Sequence, residues 1–432
     1  VVEAKLTGML SVRAHVRADR WWLWPVALVL ALAPLLFAFS LFGLLSGNPR
    51  MEDLAVFREG GAAIVHGTSL LAYSFGHSVA EPLPFTYPPF AAVVFAPLAA
   101  LPLTPDADIW FLLSLLALGV TVWLSFRPLL ARAGRFAPLV LGAAVGLSLF
   151  TDPVREVFSF GQVGLLIMAV CLLDLLVEHP RWPRGVLIGL ATAMKLIPGL
   201  FAVYFLVTGR VREAVRAFVT FVVATLVSLA VDPHDTWRYW TSVVFDTKRV
   251  GGPAYYSNQA IFGTMQRIHL GGAPETLGWA VLAAACLGLA YLGATRAHRA
   301  GNELLAVTIV GLTSELVSPV AWIHHLVWLV PAVGVLALDL RPWRRAILPL
   351  AVIAWFTVQV PEVGWHMMKS DGPSHLANFL QDDFCFGCVL LLGALVLRAL
   401  RSPAPARRDG SAEEPGRPTP WETAPSGSLV ST

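Results

Sequence analysis

Between residues 22 and 400, apolar stretches long enough to cross a bilayer alternate with short clusters of arginine and lysine. That alternation constrains the fold more than anything else in the chain. A helix needs roughly 20 apolar residues to span the hydrocarbon core. Only 14% of the residues are charged, against about 25% in a soluble domain, and the mean hydropathy is +0.67. Inside lipid every backbone N–H and C=O must find a partner within the protein, which leaves helices for a chain without β-barrel alternation. The sequence therefore predicts an all-α polytopic membrane protein.

Basic clusters mark the cytoplasmic side. They lie at Arg13 to Arg20, Arg127 to Arg135, Arg181 to Arg184, Arg210 to Arg216, Arg296 to Arg299, Arg341 to Arg345 and Arg398 to Arg408. Placing all of them inside predicts about twelve transmembrane helices, at 22–45, 108–126, 137–150, 162–178, 185–197, 199–209, 213–231, 277–296, 303–317, 323–340, 346–360 and 384–400. The stretch 88–104 becomes a re-entrant or interfacial outer helix. The 22–45 stretch is too long for a signal peptide and is read as a retained span. Residues 1–21 form a cytoplasmic tail, 22–400 the membrane domain, and 401–432 a disordered cytoplasmic tail rich in Pro, Gly, Ser and charge. Both termini are cytoplasmic. The outer segments are 46–87, 151–161, 232–276, 318–325 and 361–383. Cys171 and Cys286 lie in apolar runs and read as packing residues, whereas Cys385 and Cys388 could pair near an outer helix end.

The chemistry-bearing residues fall on that outer side. Glu52 and Asp53 follow the first span, and a carboxylate there can accept a proton from an attacking hydroxyl. The run Phe85-Thr86-Tyr87-Pro88-Pro89-Phe90 supplies an aromatic wall with a proline start for the next helix. His324 and His325 are adjacent in apolar sequence, and ionisable residues at membrane depth are functional candidates. Their directions differ by about 100° on a helix, which disfavours a shared metal ion and favours binding or orienting a phosphate. Lys195, at the Lys195-Leu196-Ile197-Pro198 break, needs an anionic partner. Lys248 and Arg249 could hold a phosphate, and Asn258 and Gln259 could bind sugar hydroxyls. Each of these residues also has a plain structural reading, as a loop charge, an interfacial side chain or a snorkelling lysine.

Together the pieces resemble one family, the integral-membrane GT-C type mannosyltransferases of actinobacteria that use polyprenyl-phosphate-mannose. The resemblance rests on Asp53-Leu54-Ala55-Val56-Phe57 with Gly60-Gly61, on Leu83-Pro84-Phe85-Thr86-Tyr87-Pro88-Pro89-Phe90, and on Phe160-Gly161-Gln162-Val163. It continues through Met194-Lys195-Leu196-Ile197-Pro198, Asn258-Gln259, and Ser318-Pro319-Val320-Ala321-Trp322 with His324-His325. The proline-aromatic and double-histidine runs are the specific parts. The chain departs at Phe57 and Ala321, where such relatives often carry Tyr and Ser.

The resemblance implies a GT-C architecture and transfer of mannose from polyprenyl-phosphate-mannose to a glycolipid acceptor. The acceptor would be of the phosphatidylinositol mannoside or lipomannan type, and the bond an α-1,2 linkage formed with inversion on the outer face of the plasma membrane. Asp53 is then the catalytic residue. Lys195, Lys248, Arg249 and one of His324 and His325 face the donor phosphate. Glu52, Phe85, Tyr87, Gln162, Asn258, Gln259 and Trp322 line the substrates. No cofactor, and no metal ion, is required by the ligands present, and no nucleic acid is expected as a partner. The rival readings are a transporter or flippase of lipid-linked sugars, and an arabinofuranosyltransferase using polyprenyl-phosphate-arabinose. A transporter would place buried charge along several spans and show internal repeats, neither of which the sequence displays.

Overall fold

The computed structural model describes residues 23–41, 51–71, 74–75, 83–101, 103–268, 271–338, 342–372 and 374–402. The first helix, α1, spans Leu23–Leu41, and α2 spans Glu52–His66. Two short strands, β1 (Ser74–Phe75) and β2 (Leu83–Pro84), pair antiparallel with Phe75 opposite Leu83. Helices α3 (Pro89–Phe95), α4 (Leu103–Ala133), α5 (Ala137–Ser148), α6 (Asp152–Phe160) and α7 (Gly164–Leu176) follow. Then come α8 (Val186–Met194), α9 (Gly199–Val207), α10 (Val211–Val231), α11 (Pro233–Thr241), α12 (Ile261–Ile268) and α13 (Gly272–Arg299). The chain closes with α14 (Glu303–Val317), a 3₁₀ segment Ile323–Trp328, and α15 (Leu329–Leu338), α16 (Pro342–Trp355), α17 (Val360–Asp371), α18 (His375–Gln381) and α19 (Asp383–Arg401).

The protein is helical and multi-pass. Among the described residues five helical stretches are long and apolar enough to cross a membrane: Asp106–Ser148, Val211–Val231, Gly272–Arg299, Ala346–Asp371 and Asp383–Arg401. A sixth arises if α6 and α7, bent by 115°, count as one span. The stretches 185–197 and 199–209, short and broken near Lys195 already in sequence, form α8 and α9, whereas the expected span 323–340 is divided into the 3₁₀ segment and α15. The predicted interfacial helix at 88–104 is α3 followed by a 3₁₀ turn, Ala96–Ala100. The segments expected as outer loops hold helices of their own: α2, α6, α11, α12, α17 and α18. Of these, α17 continues the apolar stretch Ala346–Asp371 and α6 forms a bent pair with α7, whereas α2, α11, α12 and α18 are too short to span, and packing against the bundle stabilises them. The tails 1–21 and 403–432 lie outside the described residues. The four cysteines are free, and Cys385 and Cys388 are buried one turn apart on α19. The expected pairing is thus replaced by core packing.

Contacts between connecting segments divide them into two sets. The segments bearing basic clusters touch each other. Arg210 pairs with Glu303 at 2.8 Å, beside His298. Gly185 lies directly under the Glu213 carbonyl, where a β-carbon would clash. Arg398 donates to the Val335 carbonyl at 3.0 Å. Asp174 is fully buried and accepts from Trp182 Nε1 and from the N–H groups of Gly185 and Ile188, so it caps the start of α8 and closes the α7–α8 connection. The other set meets at the opposite ends of the helices. Met51 N–H donates to the Ser159 carbonyl, Asp152 N–H to Phe356, and Gln259 N–H to Ala321. Arg267 pairs with Asp382.

This second set carries the candidate site. The start of α2 is pinned to the end of α6 by the Met51–Ser159 bond, with Met51 in the left-handed region at φ 38°. Gly161 sits in the same region at φ 68°, and a β-carbon there would strike Leu54 and Met51. Close approach at this one turn brings residues 53 and 162 together. Below it α2 packs on α3 through Gly60, over which the Phe85 ring lies, and through Gly61, under the Phe95 carbonyl. Behind them Phe57 stacks on Phe95, and Trp110 meets both rings at an angle.

Candidate active site

Asp53 stands in the first turn of α2, where a carboxylate is favoured by the helix dipole. Its surface is partly open, yet protein surrounds it closely enough that burial pushes its carboxyl above the usual carboxylate range. The His324 charge, a hydrogen bond from Gln162 and the Lys195 charge pull it back, and Glu52 adds to the upward push. Gln162 is buried, and its Oε1 accepts from the Tyr87 hydroxyl at 3.1 Å. Burial and the Asp53 charge push the Tyr87 hydroxyl up, so it serves as a donor. Tyr87, Gln162 and Asp53 thus form a chain from the aromatic wall to the carboxylate.

Lys195 ends α8 in an extended conformation, φ −153° and ψ 127°. Pro198 has no N–H to offer the Met194 carbonyl, so α8 stops here, and Lys195 leaves it in extended conformation beside the site. Its Nζ lies 6.0 Å from the Tyr87 ring centre, and its charge is offset by Glu315 and Asp53. A pocket beside it is lined by Lys195, Glu315, His325, Ser314, Cys171 and Trp328.

The two histidines divide between these regions. Trp322 is extended and opens the 3₁₀ segment that carries both rings. The rings are 4.7 Å apart at 81°. His324 Nδ1 lies 3.3 Å from Glu156 Oε2 on α6, with Phe160 against the ring at 5.7 Å. His325 Nδ1 lies 3.9 Å from Glu315 Oε2 and faces the pocket. Each imidazole is thus backed by its own carboxylate, and His324 is the one whose charge acts on Asp53. Among the described residues no group of three or more His, Cys, Asp or Glu is placed to hold a metal ion.

Residues 85–319 match the description Glycosyltransferase family 87. The chain belongs to this family. It is 34% identical over 330 residues to a Mycobacterium tuberculosis protein, covering 73% of this chain and 76% of the relative. That relative is a polyprenol-phosphate-mannose-dependent alpha-(1-2)-phosphatidylinositol mannoside mannosyltransferase. A Mycolicibacterium smegmatis protein of the same name is 35% identical over 77% of this chain and 78% of its own length. A pentamannoside mannosyltransferase of M. tuberculosis is 37% identical over 65% of this chain and 64% of its own. No solved structure matches the chain.

In this family 87 protein Asp53, Tyr87, Gln162, Lys195, His324 and His325 converge, with Trp322 at the edge. Glu52 adjoins Asp53 and acts on its charge. Four predicted residues serve otherwise. Asn258 and Gln259 have no exposed surface. Asn258 donates to the Pro253 and Pro319 carbonyls and accepts from Ala260 and Ala321. Gln259 donates to the Tyr256 and Gln381 carbonyls and accepts from Cys385 N–H. Their amides are spent on fixing a loop, so the expected sugar hydrogen bonds are replaced by structural ones. Phe85 is wholly buried over Gly60 and shapes the wall from behind. Arg249 donates to the Leu71 carbonyl at 2.8 Å, and Asp246 and Asp235 offset its charge, so it is held away from the Asp53 cluster. Lys248 lies in the 3₁₀ turn Thr247–Val250, and its side chain is outside what is described.

The sequence reading missed Glu156 and Glu315. Glu315 had a usable signal, as a lone acid in an apolar span. Glu156 had none, because Asp152-Pro153-Val154-Arg155-Glu156 reads as an ordinary charged loop.

The hydrogen bond from Gln162 gives a pH prediction. It lowers the Asp53 carboxyl, so Gln162→Ala should let that carboxyl rise further. Activity that needs ionised Asp53 is lost as pH falls through its value, and the acid limb of kcat/KM should therefore move to higher pH in the variant. A limb that stays put or moves to lower pH contradicts the assignment.

Proposed function

We propose that this chain moves a mannosyl residue from polyprenyl-phosphate-mannose to a phosphatidylinositol mannoside acceptor, forming an α-1,2 bond with inversion. The observation that carries the chemistry is the Asp53 carboxylate, set beside Lys195 and His324 at one end of the helices. The names of the relatives point to the same donor and acceptor.

In this reading the acceptor hydroxyl lies against Asp53, which takes its proton as the oxygen attacks the anomeric carbon. The new C–O bond forms on the face opposite the phosphate while the anomeric C–O bond to phosphate breaks. The phosphate leaves with the bonding pair and gains one negative charge. Lys195 and His324 offset that charge within a site screened from bulk water. Glu156, 3.3 Å from His324 Nδ1, favours the imidazolium as the phosphate leaves, in which both ring nitrogens donate and Nε2–H can bond a phosphate oxygen. No proton donor for the leaving group and no metal ion enters the scheme.

We also read the architecture as GT-C, with about twelve crossings, both termini cytoplasmic and the site on the outer face of the plasma membrane. The support is the separation of connecting segments into two sets, because the basic set belongs inside. Single cysteines placed in a cysteine-free background test this. Position 255 should react with an impermeant thiol reagent from outside and position 299 should not; the reverse pattern overturns the orientation.

The deciding experiment supplies purified protein with radiolabelled polyprenyl-phosphate-mannose and phosphatidylinositol mannosides. The expected product is one mannose longer and loses its label to an α-1,2-specific mannosidase. Transfer directly from GDP-mannose, without polyprenyl phosphate, would refute the donor assignment.

A further inference from the structure

Four aromatic rings from three separate segments meet next to the histidine pair. Tyr255 lies 4.6 Å from Tyr256, 5.2 Å from Trp365 and 6.2 Å from Trp322, measured between ring centres. Tyr256 and Trp365 are 5.7 Å apart and tilted by only 31°. Tyr255 is 41% exposed, and Tyr256, Trp322 and Trp365 are partly exposed. The cluster adjoins the site at one end. Trp322 stands two residues before His324, and the Tyr256 hydroxyl lies in the field of Glu156, the partner of His324.

The platform is rigid. Asn258 pairs with Trp322 in a β-bridge. Arg267 donates to the Tyr255 and Asn258 carbonyls at 2.9 and 2.8 Å while paired with Asp382. Gly251, at φ 107°, lets the chain pass close over the Trp322 ring. The buried amides of Asn258 and Gln259 therefore have a purpose, which is to hold Tyr255 and Tyr256 in place. A site ordered before binding loses less entropy when it is filled.

Polar groups interleave with the rings. Glu362, Trp365 and Lys369 are spaced i, i+3, i+7 and share one face of α17. Lys369 Nζ lies 4.8 Å over the Trp365 ring, and His366 is 3.6 Å from Glu362. Aromatic residues at a membrane interface anchor a helix end singly and need no such network. A pyranose needs both parts, because its C–H face packs on rings and its hydroxyls need donors and acceptors.

We propose that Tyr255, Tyr256, Trp322 and Trp365 form a platform that binds the acceptor's mannosyl residues behind the one that reacts. The inference rests on the mannoside acceptor assigned above and names where its headgroup lies. Rings near His324 take the sugar next to the reacting one, and Trp365 on α17 takes a sugar farther out. The platform should therefore favour acceptors carrying several mannoses over those carrying one.

Two measurements on the full chain in detergent test this. Saturation-transfer NMR with soluble α-linked mannotriose should show saturation of the pyranose protons in the wild type. Trp365→Ala and Tyr255→Ala should each weaken that binding roughly tenfold, the scale of losing one aromatic contact. Trp365→Phe should recover most of it. In the transfer assay the same variants should raise the acceptor KM by a similar factor and leave the donor KM within about twofold. Absence of saturation in the wild type, equal binding in wild type and variants, or equal shifts of donor and acceptor KM would each overturn the platform. Tyr255→Ala removes an exposed ring and serves if Trp365→Ala fails to fold. Binding without any transfer would sink the proposed activity alone; transfer with an unchanged acceptor KM would sink the platform alone.

Discussion

Asp53→Asn is expected to lower kcat by about 100- to 10,000-fold, the range supplied by a positioned general base. Asn keeps the shape and can still meet Gln162, but it cannot take the acceptor proton. The variant should fold at least as well as the wild type. Burial raises the Asp53 carboxyl in the folded protein, so the ionised form opposes folding above the unfolded-state value near 3.8. That opposition fades as pH falls through the raised folded-state value. Removing the charge should leave Tm unchanged or higher at neutral pH, as expected where a site trades stability for function. Activity of Asp53→Asn within tenfold of wild type, in folded protein, would end the assignment of Asp53 as base. A lower Tm would mean that the Asp53 charge supports the fold.

Lys195→Met is the second large effect. The lysine sits where the leaving phosphate gains charge, and removing one such group costs about 100- to 1,000-fold in kcat elsewhere. It also offsets Glu315, which is 6% exposed. The single variant removes the cation whose charge offsets that buried carboxylate, so it should also lower Tm. Lys195→Met with Glu315→Gln separates the two effects. Stability should return in the double variant, while kcat stays low. Recovery of kcat together with stability would show that Lys195 holds the fold and does not act on the phosphate.

How much of this site was legible depended on the residue. Asp53, Tyr87 and the histidine pair stood out because charge and aromatic-proline runs are rare in apolar sequence. Gln162 stood out only through the resemblance of its flanking residues. Asn258 and Gln259 looked like sugar ligands because an amide's composition is the same whether it faces a hydroxyl or a backbone carbonyl. Burial decides between these, and burial depends on α19 and the 319–322 turn, both distant in the chain. Trp365 was passed over, since one tryptophan in a predicted outer segment says nothing about the two tyrosine rings it meets.

The fold divides in the same way. The alternation of apolar stretches and basic clusters by itself determined a helical, multi-pass protein, because lipid leaves unpaired backbone groups no solvent. It also predicted which connecting segments share a side, and the contacts Arg210–Glu303 and Gln259–Ala321 each join two segments of one predicted set. Only the tertiary structure decided that the segments predicted as outer loops contain helices, that His324 lies against Glu156 and His325 against Glu315, and that Arg249 turns away to Leu71. These outcomes depend on close packing between elements up to hundreds of residues apart, and no local pattern of hydropathy or charge encodes which side chains will touch.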